Sequence, residues 1–65
     1  METLKDVWES QGLSGAEVAR QANISYPTLL RVARKDRSVS VPVLVRVCHV
    51  LQISVDYYQS LEATK

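Results

Sequence analysis

Arg20, Arg31, Arg34, Lys35 and Arg37 set five cationic side chains between positions 20 and 37, against a single acid, Asp36. Such a concentration suits contact with anions, because a guanidinium fork offers several N–H donors at once to phosphate or carboxylate oxygens. Arg31 carries the sharpest chemistry. From the outer side of a helix its fork matches guanine O6 and N7 together, while Tyr26 and Thr28 suit a thymine methyl or a phosphate. Arg34, Lys35 and Arg37 read equally as phosphate contacts or as a solvated loop. Other chemistries lack a constellation. Asp6, Glu9, Glu17 and Asp56 are scattered carboxylates without a matched base or nucleophile, so no enzyme is expected. Cys48 and His49 are adjacent, but two ligands side by side without others do not make a zinc site. Cys48 is expected in the core and His49 on the surface, with no metal and no cofactor.

These side chains need short helices to position them. Leu4, Val7 and Trp8 recur at helical spacing and Gly12 offers a stop, which predicts a first helix over 2–11. Ser14 followed by Glu17 is a capping-box pattern, and Ala16, Val18, Ala19 and Ala22 supply the apolar stripe of a second helix over about 14–22. Asn23 tolerates the left-handed backbone of a sharp turn. Ser25 then caps a third helix over about 25–33, with Pro27 in its first turn and Leu29 and Val32 inside. Valines at 39, 41, 43, 45 and 47 alternate like a strand, but Pro42 disfavours a central strand and no hairpin partner exists. Ser40 as cap with Pro42 behind it predicts a helix instead, its inner stripe Leu44, Val47, Cys48 and Leu51. Ser54 and Asp56 open a last helix carrying Val55, Tyr58 and Leu61, and residues 63–65 are expected to fray.

Sixty-five residues allow one domain, 1–65, with one small core. An apolar fraction of 46% and a charged fraction of 23% exclude a disordered or fibrous chain. The formal net charge of +1 neither demands nor excludes nucleic acid, since a binding face depends on where the cations sit. One cysteine allows no internal disulfide, and a cationic start with an apolar run is absent, so a reducing cytoplasm is the expected compartment and no membrane span is expected.

Two short helices joined by a tight turn, with a small residue where the first faces the second, make a helix-turn-helix. Counted from Gly15, Ala19 is fifth, Asn23 ninth, Ile24 tenth, Leu29 fifteenth and Val32 eighteenth. Ala19 lets the helices approach, Asn23 turns the chain, and Val18, Ala22, Ile24, Leu29 and Val32 fill the space between.

On these residues the chain resembles the lambda repressor and Cro family, and LSGAEVARQANISYPTLLRVARKDRSVSVPVLVRVCHVLQISVDYY aligns with it without a gap. The resemblance implies an all-α, five-helix, lambda-repressor-like fold with its second helix across a phosphate backbone and its third in the major groove. By matched position, Ser25, Tyr26, Pro27, Thr28 and Arg31 face double-stranded DNA, with Ser14, Gly15, Arg34 and Arg37 nearer the phosphates. Several departures stand out. Glutamine is usual at Gly15, so a side-chain phosphate contact is missing there. Glycine is usual at Asn23. An acid is usual at Ala33 and Asn-Gly at Arg34-Lys35, so the turn after the third helix is expected to differ. Tyr57, Val50 and Val43 fall at commonly polar or exposed family positions, which suggests surplus apolar surface and a homodimer interface anchored by Tyr57.

The function implied is that of a sequence-specific transcriptional repressor occupying an operator as a dimer. A protein-interaction module on the same fold, an antirepressor or antitoxin binding a second regulatory protein, is the alternative, favoured by the low net charge and the missing glutamine at Gly15.

Overall fold

Five residues in extended backbone, each with a hydroxyl side chain, open the five helices. A computed structural model describes residues 2–63 and places Thr3, Ser14, Ser25, Ser40 and Ser54 immediately before α1 (Leu4–Ser10), α2 (Gly15–Gln21), α3 (Tyr26–Ala33), α4 (Val41–Leu51) and α5 (Val55–Ser60). Thr64 and Lys65, part of the tail expected to fray, lie outside the described residues. Four of the hydroxyls accept the backbone N–H three residues on, satisfying a donor that the helix cannot. Ser40 does not, and Pro42 occupies the first turn instead. The full reciprocal box is at Thr3 and Asp6, where the Thr3 N–H also donates to Asp6 at 2.9 Å. These bonds from Thr3 hold the Asp6 carboxyl below its ordinary pKa. At Ser14 the expected box is half made, since Ser14 donates its hydroxyl to Glu17 rather than leaving that carboxylate for the backbone. α1 starts later than expected because Glu2 and Thr3 are drawn into a short bridge with Glu62, whose N–H donates to the Glu2 carbonyl at 2.8 Å.

The first four helices end alike. Gly12, Asn23, Lys35 and Gln52 adopt positive φ, 75°, 59°, 59° and 57°, and around each turn paired N–H groups return to the last carbonyls. Asn23 and Ile24, for example, donate to Arg20 and Ala19. The left-handed turn expected at Asn23 is present. The turn after α3 keeps the same shape although lysine stands where glycine costs least, so the different turn expected there is not what forms.

α2 packs against α1, α3 and α4, and α4 against α5. Leu4, Val18, Leu29, Val32, Val47 and Leu51 are fully buried at the centre, while Ala19, Ala22 and Ala33 permit close approach around them. Val39 and the alternating valines of α4 are thereby sorted by helical rather than strand period: Val47 is buried, Val39 and Val43 half-buried, Val41 and Val45 exposed. The expected core changes at four places, one of them Ile24, which is half-buried. Ala16 is exposed because the inner stripe is Val18, Ala19 and Ala22, and a residue two positions before Val18 is turned about 200° away. Val55 is exposed at the first position of α5, which buries Tyr58; Leu61, expected on this helix, is buried just past its end. Leu44 is only half-buried.

Three long-range bonds lock this arrangement. Gln11 donates its side-chain amide to the Leu51 carbonyl at 2.8 Å, Tyr58 its hydroxyl to the Val32 carbonyl at 2.6 Å, and Lys35 its ammonium to the Gln59 carbonyl at 2.9 Å. Each meets a carbonyl near a helix end; that of Val32 also accepts the Lys35 N–H of the turn after α3.

Candidate nucleic-acid interface

α3 divides its residues by face. Leu29, Val32 and Ala33 are buried, while Tyr26, Pro27 and Arg31 are exposed and Thr28 is half-exposed. The inner face is held by α2 through Ala19 and the turn at Asn23, so the outer face is carried on a rigid helix pair. Arg31 lies in the last turn with its side chain in solvent, and Arg34 and Arg37 are exposed just beyond it.

Asp36, the one acid among these cations, is turned locally. Its carboxylate accepts the Ser38 N–H at 2.8 Å. That bond, followed by the nearby charges of Arg31 and Arg34, holds its pKa below the ordinary carboxylate range.

Ser14 and Ser25 are exposed, but both hydroxyls already serve as helix caps, and the Ser25 hydroxyl also meets that of Thr28 at 2.7 Å. Gly15 is half-buried under the ring of Tyr26. Lys35 departs most from expectation. Its ammonium lies 5.2 Å from the centre of the Tyr58 ring as well as bonding Gln59, which places it on α5 rather than at the front of α3. Lys35→Ala is therefore expected to lower stability by about 1 kcal/mol and to leave the salt dependence of DNA affinity unchanged. A slope of log affinity against log salt shallower by about 1 would return Lys35 to the phosphate contacts.

Sequence reasoning passed over Lys5, which shares a cleft with Trp8, Ser14, Gly15 and Tyr26. Nothing in local spacing joins α1 to the start of α3, although a cation one turn before Trp8 was visible. Tyr57 is exposed and donates its hydroxyl to the Glu2 carboxylate, which raises the phenol above its ordinary pKa. Val50 and Val43 are half-buried against the core. Cys48 is buried and its thiol pushed up by burial, and His49 is exposed. Among the described residues no group of His, Cys, Asp and Glu is placed to hold a metal ion, and no helix is long and apolar enough to cross a membrane.

The helix-turn-helix family matches residues 4–58 of the chain. Neither a curated protein nor a solved structure matches it.

Proposed function

The chain belongs to the helix-turn-helix family of the lambda repressor and Cro type, a DNA-binding regulatory family, and from that membership we propose that it is a sequence-specific transcriptional repressor that occupies a double-stranded operator as a homodimer in the cytoplasm. One observation carries the reading: α3 is anchored by Leu29, Val32 and Ala33 and holds Arg31 outward beside Arg34 and Arg37, with the intervening acid engaged by Ser38. A helix so held enters a major groove, where Arg31 reads a base and Arg34 and Arg37 meet phosphates.

Two copies are needed for useful affinity. The chain extends 27 Å in its longest direction, less than the ~34 Å that separates successive major grooves on one face of DNA. A two-fold pair joined through α5 and its neighbours, with Tyr57 as anchor and Val50 and Val43 of α4 contributing apolar surface, presents both recognition helices to an inverted repeat with half-sites ~10 base pairs apart.

Selection from random DNA, then gel shifts on full and half sites, tests this. Tyr57→Ala is expected to weaken full-site occupancy while half-site affinity and fold are kept. Equal binding of full and half sites by the parent protein would sink the dimer.

The second reading, a module that binds another regulatory protein, draws on a surface of α4 that shares Val50 with the proposed dimer interface. Val41 is 70% exposed and Val45 47%, and Val45 and Val50 border a groove of about 470 Å³ with Arg46 and His49. Absence of binding to any DNA at low salt would decide for it.

A further inference from the structure

Three tyrosines differ in what their hydroxyls do. Those of Tyr58 and Tyr57 are committed within the protein, to the Val32 carbonyl and the Glu2 carboxylate. Among the described residues the hydroxyl of Tyr26 has no protein partner, although its ring is not free to wander. A Cβ placed on Gly15 would lie 2.8 Å from Tyr26 Cε1, 3.3 Å from Trp8 Cζ2 and 3.5 Å from the Tyr26 hydroxyl oxygen. The ring therefore occupies the space that any side chain at position 15 would enter. It leans from the first residue of α3 over the first residue of α2, bordering a cleft shared with Lys5, Trp8 and Ser14. Gly15 is not at positive φ, so backbone conformation does not call for glycine here; the ring does.

We propose that Gly15 is a positioning residue for Tyr26: by leaving its own side-chain space empty it seats the ring against Trp8 and fixes the Tyr26 hydroxyl as a donor to a DNA backbone phosphate, not to a base. The proposal rests on the DNA-binding reading above. A side chain that reads a base edge must project from α3 into the groove, as Arg31 is free to do, whereas a ring folded back over α2 carries its hydroxyl to the flank of the recognition helix. Two of the three hydroxyls beside it, those of Ser14 and Ser25, are occupied as caps, and that of Thr28 is paired with Ser25. Of these hydroxyls, that of Tyr26 alone has no partner within the protein among the described residues. Its aromatic body, 48% exposed, gives the hydroxyl a rigid mount with few rotatable bonds.

Tyr26→Phe, Gly15→Ala and the double variant test the assignment on the selected operator and on a panel of single-base variants of it. Tyr26→Phe is expected to weaken binding about threefold to tenfold, uniformly across the panel, with the salt slope unchanged because no charge is removed. Gly15→Ala is expected to give a similar uniform loss by displacing the ring, and the double variant no greater loss than either alone. Trp8 is the only tryptophan, so its emission reports the seat without DNA: Gly15→Ala should shift it to the red as the ring edge is uncovered, and Tyr26→Phe should not. A change of preference at one base pair in Tyr26→Phe would make Tyr26 a base reader and overturn the proposal, as would losses that multiply in the double variant. An unshifted Trp8 emission in Gly15→Ala would overturn the seat itself. If the parent protein bound no DNA while the emission shift was seen, the phosphate contact would fall together with the DNA-binding reading, and the seat would stand.

Discussion

Leu29→Ala is expected to remove most of the stability of this protein. Leu29 is fully buried on the inner face of α3, and truncating such a leucine costs about 2–5 kcal/mol through lost transfer energy and the cavity left behind. A core in a chain of this size rarely supplies more than about 3–5 kcal/mol of net stability. The melting temperature followed by circular dichroism should fall by on the order of 15 °C or more, since each kcal/mol moves it by about 4–8 °C in small domains. Binding should disappear with the fold, not before it. Melting close to that of the parent would mean that α3 is not held through Leu29, and that the rigid presentation of Arg31 needs another explanation.

Arg31→Ala tests the opposite face of the same helix. Arg31 is exposed, so the fold and melting temperature should be nearly unchanged, while binding to the selected operator should lose about 1–3 kcal/mol. The loss should be confined to sequences that carry the preferred base at one position in each half-site. Measured across operators substituted at every position, the variant should bind all four bases at that position about equally. Weakening by the same factor at every sequence, with a shallower salt slope, would make Arg31 a phosphate contact and move the search for the base reader to Thr28. Together the two substitutions separate the helix as a structural member from the helix as a reading surface.

Much of the architecture was legible in the residues. Every helix begins behind a Ser or Thr, and N-terminal capping is a local event spanning three residues, so spacing alone located α2, α3 and α5 closely. The strand-like run of valines was also resolvable, because Ser40, Pro42 and the spacing of Leu44, Val47, Cys48 and Leu51 fit a helix buried along one side. The outward face of α3 followed from the same periodicity, with Arg31 placed by the burial of Leu29 and Val32. Ala16 and Val55 were misplaced for a shared reason. Each lies near the start of a short helix, where one apolar residue does not define which way the stripe turns.

The sequence by itself determined the starts of α2 to α5, the turn at Asn23 and the polarity of α3, since each depends on residues within one or two turns of one another. Tertiary structure decided what meets the far ends of the helices. A terminal carbonyl points onward past the end of its helix, and its partner comes from wherever the fold brings a donor: Gln11 reaches Leu51 across 40 positions, Tyr58 reaches Val32 across 26, and Lys35 reaches Gln59 across 24. The last of these gives Lys35 a partner within the protein, on α5, that its basic neighbours did not suggest. The pairing of Gly15 with Tyr26 is of the same kind. A missing side chain shows in a sequence only as glycine, and the ring that fills its place becomes visible when α2 and α3 are packed together.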